Sequence, residues 1–212
     1  VCLHGGLSRP HPPIRDLINT NCCFTLAPNR SHLHLGANSL NQRCPMPCIE
    51  AAACHLFGEP FVIEDIEICT PIDGEVEVNL AACPICHSDI IKARDYWVGS
   101  LRAVYGHETA GTVTAIGLNA EGVRISDKVV VTLIRSCGTH LNCSAARPTN
   151  CEETYDGDQG PNKTAYGGKL HQEMACGGFA EKVIVNESHV VTLPDGISMK
   201  AASLVAYRVI TD

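Results

Sequence analysis

The hydrophobic and polar positions of this chain follow a two-residue period in short segments between about residue 49 and residue 196. The clearest is 75–80, where Val76, Val78 and Leu80 share one face and the acidic side chains are placed on the water side. Apolar residues between turn signals predict further strands at 61–68, 109–116, 128–133, 179–185 and 190–193. Many short strands and few helices predict a mainly β fold with short helices, in the form of a partly open β barrel.

Two short helices are also predicted from side chains that suit a helix start. One follows Ser88, whose hydroxyl is a plausible N-cap, and the other begins at Met199 after Ser198. The second helix comes after the turn Pro194-Asp195-Gly196 and opens the segment 197–212.

The first 48 residues differ in composition from the rest of the chain. They hold six of the twelve prolines and carry a net charge of +3, whereas residues 49–212 carry -10. Proline interrupts helices and strands, and no period of 2 or 3.6 is present there. We therefore assign no fold to residues 1–48 and expect a mostly disordered extension.

Charge and cysteine content narrow the classes of function. The net charge of -7 argues against nucleic acid as a partner, and no apolar run has the length of a membrane span. Thirteen cysteines are present, many in short-spaced groups with histidine, and no secretory h-region precedes them. This pattern favours metal binding in a reducing compartment, and we expect a cytoplasmic protein.

A first candidate metal site consists of residues from two short motifs. Cys86-His87-Ser88-Asp89 and Gly106-His107-Glu108 bring a thiol, imidazoles and carboxylates within about two dozen residues, and these are zinc ligand types. Either motif alone is more often a buried cysteine or a hydrogen-bonded core histidine. Cys83 and Cys86 also form a C-x-x-C, which could be a redox pair or half of a zinc knuckle. We favour Cys86 as a ligand and Cys83 as a buried neighbour.

A second candidate site follows at Cys137, His140, Cys143 and Cys151. Two-residue gaps let successive ligands wrap one tetrahedral ion, and the longer gap closes the loop from the other side. A nucleic-acid zinc finger is the alternative, but the surrounding residues lack the necessary Lys and Arg. The spacing predicts a structural zinc site with no open position.

Together, in this order, the two motif sets resemble the zinc-dependent alcohol dehydrogenases of the medium-chain dehydrogenase/reductase family. The resemblance covers about residues 49–212. It implies a GroES-like catalytic domain at 49–196 with a structural-zinc lobe, and a connecting helix that starts within 197–212. No G-x-G-x-x-G follows a strand here, so we expect the Rossmann domain to be absent from this chain.

The resemblance also implies the metal ligands. Cys86 and His107 are expected to bind the catalytic zinc, Asp89 to lie beside them, and Glu108 to be able to swing in as a further ligand. The lobe at 137–151 is expected to hold the structural zinc, with His140 where the family has a second Cys.

Roles in proton transfer and binding are implied in the same way. Ser88 matches the hydroxyl that first takes the alcohol's proton, and His87 matches a residue that faces the cofactor pyrophosphate and passes that proton on. Trp97 is expected to line the substrate pocket. The implied cofactors are Zn and NAD(P), the implied substrate is a small alcohol or aldehyde, and a homo-oligomer could form through the missing domain.

One departure leaves the activity open. The family's third ligand to the catalytic zinc is a Cys in the connecting helix, and Tyr207 stands there in this sequence. We therefore expect weak zinc occupancy and no hydride transfer by the chain as given. The alternative function is a non-catalytic, zinc-stabilised β-barrel module. A zinc-free quinone or enoyl reductase of the same superfamily is disfavoured by Cys86 and by Gly106-His107-Glu108.

Overall fold

The computed structural model describes residues 48–153 and 155–206. The strands within these residues are β1 Cys48–Cys54, β2 Val62–Ile68, β3 Glu75–Ala82, β4 Ala103–Val104, β5 Thr109–Ile116, β6 Lys128–Val131, β7 Asn162–Thr164, β8 His171–Gln172, β9 Lys182–Asn186 and β10 Val190–Thr192. The helices are short: α1 His87–Ala93, α2 Leu141–Ser144 and α3 Met199–Val205. Single 3₁₀ turns lie at Pro148–Asn150, Gly157–Gln159, Glu173–Ala175 and Glu187–His189.

The strands form two five-stranded sheets that are joined through one segment. The first has the order β7-β2-β1-β4-β8 and the second the order β10-β6-β5-β3-β9. Every pairing is antiparallel except that of β4 with β8. A bridge between Ala51 and Ala180, with Ala52 N–H donating to Phe179 O at 2.7 Å, connects β1 to the entry of β9. The two sheets therefore continue into each other, and the predicted mainly β, barrel-like fold is confirmed.

Each sheet buries its own apolar core. The first core packs side chains of β1, β2 and β4 with two later residues, and it comprises Ile49, Ala51, Ala53, Ile66, Ile68, Val104, Leu170 and Ile184. The second packs the valines of β3, β5, β6 and β9 around one cysteine, and it comprises Val76, Val78, Val113, Val129, Val131, Cys176, Val183 and Val185. Both cores hold small, β-branched or aliphatic side chains that suit a pleated, closely packed surface.

Strand β3 confirms the predicted alternation with one correction. Val76 and Val78 are fully buried, as expected. Glu77, which we placed on the water side, is also buried, because Lys182 Nζ lies 2.9 Å from its Oε1 and Thr114 Oγ1 donates to the same oxygen at 2.6 Å. Its partners lie on the neighbouring strands β9 and β5, so local sequence did not reveal them.

The predicted start of α1 is wrong by two residues, and the start of α3 is confirmed. Cys86, not Ser88, is the N-cap of α1, and its N–H donates to Asp89 Oδ2 at 3.0 Å. At α3, Ser198 Oγ accepts the N–H of Ala201 at 3.2 Å, as predicted. Helix α3 packs Ala202 against β5 and β6 in a small cluster with Ala110, Val130 and Ala206.

Several sequence-based expectations fall outside the described residues. These include the extension 1–48, apart from Cys48, which begins β1, and the departure at Tyr207. Among the described residues, no helix is long and apolar enough to cross a membrane.

Candidate metal centres

The first candidate centre is formed by Cys86, His107 and Glu108. Cys86 ends the segment between β3 and α1, while His107 and Glu108 immediately precede β5. One potential ligand atom from each lies within 4.8 Å of the others. His107 and Glu108 are almost completely buried, and Cys86 is partly accessible. A thiol, an imidazole and a carboxylate so arranged fit the ligand preferences of Zn²⁺.

Asp89 holds the backbone of both motifs and orients the histidine. Its Oδ2 accepts the N–H of Cys86 at 3.0 Å, and its Oδ1 accepts the N–H of Gly106 at 3.1 Å. The same Oδ1 lies 3.2 Å from Nδ1 of His107, and Asp89 is buried. A carboxylate on Nδ1 favours the tautomer that carries its proton there, which leaves Nε2 as the ligand atom.

Gly106 has no room for a side chain beside this centre. Its φ is +89°, and a Cβ built there would lie 2.6 Å from Cδ1 of Phe179. Glycine is therefore needed both for the left-handed backbone and for the close approach of the aromatic ring. His107 and Glu108 follow this glycine directly and precede β5.

Glu108 supplies an unsatisfied buried group. Neither of its carboxylate oxygens has a hydrogen-bond partner among the described residues, and Nε2 of His107 lies 3.8 Å from its Oε1. Burying a carboxylate without a partner is costly, so such a group is expected to face a cation. The residues present therefore fit a divalent metal ion at this point.

Ser88 and His87 lie at the first turn of α1, beside the cluster. Ser88 Oγ is 3.4 Å from Nε2 of His107, so the hydroxyl faces the candidate metal position. His87 begins the helix and is exposed to solvent. Trp97 lies beyond the helix and is half exposed, with Nζ of Lys92 5.2 Å from its ring centroid. The roles of these three residues remain predictions.

Two further cysteines lie close to this centre without joining it. Burial raises the pKa of the Cys83 thiol well above its usual range, and nearby Cys176 and Asp89 raise it further. Burial also raises the pKa of Cys176 to about 12. Groups that stay protonated are poor metal ligands and poor nucleophiles. Cys83 is partly buried, and the raised pKa of its thiol disfavours the alternative of a reactive C-x-x-C pair.

The second candidate centre lies around α2. The ligand atoms of Cys137, His140 and Cys151 lie within 4.8 Å of one another, with Cys137 Sγ 2.9 Å from Nδ1 of His140. Cys143 Sγ is 3.8 Å from Cys137 Sγ and accepts a hydrogen bond from Ser136 Oγ at 3.4 Å. The loop thus brings three of the four predicted ligands into one cluster, with the fourth, Cys143, beside Cys137.

Hydrogen bonds around Cys137 favour its thiolate. Thr139 Oγ1, Thr139 N–H and His140 N–H all donate to Cys137 Sγ, at 3.3, 3.4 and 3.4 Å. They lower the pKa of Cys137 to about 5, with the Thr139 hydroxyl the largest contributor. Gly138, with a φ of +74°, makes the tight turn that aims these donors at the sulfur. A thiolate beside an imidazole nitrogen is suited to bind zinc.

The family assignment follows from a match to the "Alcohol dehydrogenase GroES-like domain" across residues 72–195, which include both candidate centres. The chain belongs to this family. This match confirms the predicted GroES-like fold. The matched residues do not include a Rossmann domain.

Relatives and solved structures of alcohol dehydrogenases agree with this assignment. The NDMA-dependent alcohol dehydrogenase of Amycolatopsis methanolica is 32% identical over 168 residues, which are 76% of this chain and 45% of that protein. The CYP enzymes assisting alcohol dehydrogenase of Catharanthus roseus is 28% identical over 74% of this chain and 44% of its own length. The alcohol dehydrogenase zinc-binding domain protein from Burkholderia ambifaria superposes with a TM-score of 0.70 at 29% identity, covering 76% of this chain and 45% of that one.

Benzyl alcohol dehydrogenase from Acinetobacter calcoaceticus gives a TM-score of 0.67 at 25% identity over 76% of this chain and 45% of its own. The chain therefore spans slightly less than half the length of the proteins it matches.

The structure of this GroES-like domain also contains a buried ion pair that the sequence did not indicate. Lys92 Nζ lies 2.7 Å from Oε1 of Glu173, and both side chains are largely buried. The two residues are 81 positions apart, and neither stands in a recognisable motif. Only the observation that Lys92 follows Ser88 by one helical turn could have suggested that it lies near the site.

Proposed function

We propose that this chain is the catalytic domain of a zinc-dependent alcohol dehydrogenase, which interconverts a small alcohol and its aldehyde by hydride transfer to or from NAD(P). The observation that supports it most is the convergence of Cys86, His107 and Glu108 beside the hydroxyl of Ser88. Family membership supports the reaction class. Because the chain spans less than half of its relatives' length, the activity of a complete protein is part of the proposal.

Some side chains of the first centre would bind a metal ion, and others would transfer a proton. Cys86, His107 and Glu108 would hold zinc, which supplies a Lewis acid that makes a bound hydroxyl more acidic. Asp89 orients His107 and increases the basicity of its Nε2. Ser88 Oγ accepts the proton that leaves the substrate hydroxyl, since it is the hydroxyl group that faces the cluster.

His87 is proposed to carry that proton on to solvent and to face the pyrophosphate of NAD(P). It is exposed and directly precedes Ser88 on α1, so a proton can leave the buried centre through it. Trp97 is proposed to line the substrate pocket. The nicotinamide cofactor would carry the redox chemistry, and the protein would contribute by positioning the reactants and by its electrostatic environment.

The second centre is proposed to bind a structural zinc through Cys137, His140, Cys143 and Cys151. Three thiolates and one imidazole occupy all four coordination positions of a tetrahedral zinc ion and leave none for a substrate. This ion would stabilise the long loop between β6 and β7, whose described residues form only short helical turns.

A non-catalytic zinc-stabilised module is the second candidate function. It is favoured by Tyr207, which stands in the sequence where the family has its third zinc-ligating Cys. A phenol with a pKa near 10 is a poor substitute for a thiolate. Under this alternative the second centre would still bind zinc and the first would not.

The discriminating experiment joins residues 48–212, which begin with β1, to the cofactor domain of a family relative and follows NADH formation from an alcohol. We expect hydride transfer in the Tyr207→Cys form and its loss when Cys86→Ser is added. Cys48→Ser is the matched control, because Cys48 is an exposed cysteine outside both centres. Absence of turnover in the Tyr207→Cys form, with zinc bound at both centres, would favour the non-catalytic module.

A further inference from the structure

A cavity of about 510 Å³ lies where the two sheets join. Part of its wall is the junction of β1 with the entry of β9, which includes the bridge between Ala51 and Ala180. The rest of its wall comes from β2, from α1 and from the segments that precede them, and comprises Phe61, Ile63, Cys83, Ile85, Asp89 and Ile90. A cavity of this volume suits a small molecule.

A small side chain on the outer face of β1 leaves this space open. Successive side chains of a strand point to opposite faces, and Ala51 and Ala53 are buried in the first core. Ala52, between them, therefore points out of that core and towards the cavity that it lines. On β2, Ile63 is paired with Ala52 and is 62% exposed. A larger side chain at position 52 would fill the cavity.

The walls beside Ala52 are mostly hydrocarbon. The rings of Phe61 and Phe179 meet edge to face, with their centroids 5.9 Å apart. Ile85 and Ile90 line the cavity from the side of α1 and are 65% and 40% exposed. A ligand that covers these side chains removes their apolar surface from water, which favours binding. The cavity therefore suits a ligand with a hydrocarbon body.

The charged side chains of the wall are all acidic. Glu50 and Glu181 are exposed and adjacent, since Glu181 Oε2 accepts the N–H of Glu50 at 3.1 Å. The third acidic residue, Asp89, is hydrogen-bonded within the first metal centre. Among the described residues, no lysine, arginine or histidine lines the cavity. The two free-standing carboxylates therefore attract a positively charged ligand and repel an anion.

A metal ion suits this cavity less well than an organic cation. Hard divalent cations need several oxygen ligands, and the surfaces beside Glu50 and Glu181 are largely apolar. An ammonium group attached to a hydrocarbon body matches both parts of the wall, because its charge faces the carboxylates while its carbon atoms cover the apolar side chains.

We propose that this cavity binds a small organic ammonium ion, whose hydrocarbon body packs against the apolar walls and whose charged head lies beside Glu50 and Glu181. The site is separate from both metal centres, because none of their candidate ligands, all of which the structure describes, lines it. The inference goes beyond the proposed function, since it needs neither hydride transfer nor a catalytic zinc.

The test compares hexylammonium, 1-hexanol and hexanoate, which share a six-carbon chain and differ in the charge of the head group. Their dissociation constants for the zinc-loaded 212-residue chain are measured from the NMR shifts of the backbone amides of Ala52, Ala180 and Ile90. These amides report on the cavity itself, so binding at a metal centre is not counted. We expect hexylammonium to bind about fivefold more tightly than 1-hexanol, and hexanoate to bind most weakly.

Two variants separate the charge from the shape of the cavity. In Glu50→Gln/Glu181→Gln, the ratio between hexylammonium and 1-hexanol should fall to about one, because the attraction is lost and the hydrocarbon walls remain. In Ala52→Leu, all three probes should bind at least about tenfold more weakly, because the new side chain fills the space. Circular dichroism confirms that each variant folds.

The matched control is Glu121→Gln/Glu187→Gln. It removes the same charge from a similar arrangement outside the cavity, where the N–H of Glu121 donates to the carboxylate of Glu187. The fivefold ratio should persist in this control.

Hexanoate binding as tightly as hexylammonium, or an absence of shifts with every probe, would overturn the inference. So would a fivefold ratio that persists in Glu50→Gln/Glu181→Gln, or a folded Ala52→Leu chain that binds like the wild type. If Ala52→Leu does not fold, the ratio in the glutamate variant and its control decides the outcome.

Discussion

Asp89 Oδ1 lies 3.2 Å from Nδ1 of His107, and both side chains are buried. The same carboxylate accepts the backbone N–H groups of Cys86 and Gly106. Two motifs separated by about twenty residues in the chain are thereby fixed to one another by a single side chain. The ligand atoms of Cys86 and His107 consequently share one short region of space.

Replacing Asp89 with Asn should weaken zinc binding at the first centre by about 10- to 100-fold. The amide lacks the negative charge that orients the imidazole and increases the basicity of Nε2. Competition with a chromophoric chelator measures the affinity. Asp65→Asn is the matched control, since Asp65 is exposed on β2 and should leave the affinity unchanged. An unaltered affinity in Asp89→Asn would show that the carboxylate does not act on the metal site.

Glu108→Gln should have opposite effects on the metal-free and zinc-loaded chains. Without metal, the substitution removes a buried carboxylate that has no hydrogen-bond partner in the described part of the chain, and it should raise the free energy of unfolding by about 1–3 kcal/mol. With zinc, it removes a ligand and should lower stability instead. Urea denaturation with and without EDTA measures both. The same sign under both conditions would argue against Glu108 as a ligand.

His140→Cys should retain zinc at the second centre and change its spectroscopic signature. Replacing imidazole with a fourth thiolate raises the number of sulfur ligands and makes the assembled site more negative. In the Co²⁺-substituted chain, the sulfur-to-metal absorption should increase by about one third relative to the wild type. An unchanged spectrum would mean that His140 was never a ligand, or that the new thiol does not replace it.

His189 should make the chain less stable in mild acid. Burial lowers its pKa, and its Nδ1–H donates to the carbonyl of Thr132 at 2.7 Å, with Arg135 nearby lowering the pKa further. The unfolded chain takes up a proton below about pH 6.5, which the folded chain resists, so stability falls as the pH drops through that value.

Relative to His189→Gln, the wild-type chain should lose up to ~1.4 kcal/mol per pH unit below about 6.5. Urea denaturation at pH 7.5, 6.5 and 5.5 measures the slope. Parallel curves for the two proteins would show that His189 is not the group responsible.

The bounds of a strand were predicted best where apolar and β-branched residues continue along its whole length. Strand β5 has the predicted bounds, because its apolar and β-branched residues fit a half-buried strand along their whole length. Strand β1 was missed, since Ala51, Ala52 and Ala53 have weak strand propensity. They form a strand because two of them pack without a gap in the first core, a tertiary effect that sequence alone does not express.

The candidate sites divide in a similar way. Ligands that lie close together in the chain, such as Cys137 and His140, can be recognised from their spacing in the sequence. Charge pairs between distant elements cannot, and Lys92 with Glu173 and Glu77 with Lys182 both belong to that class. The helix start at Cys86 was missed for a different reason, because Asp89 reaches back to its N–H and replaces the cap expected from Ser88.

We propose that Cys86, His107 and Glu108 form a metal centre separate from the lobe at 137–151. Zinc titration of the 212-residue chain, with bound metal counted by mass spectrometry, tests it most directly. We predict one tight and one weak site per chain, loss of only the weak site in Cys86→Ser, loss of only the tight site in Cys137→Ser, and two tight sites in Tyr207→Cys. Identical zinc binding by the wild-type chain and Cys86→Ser would contradict the claim.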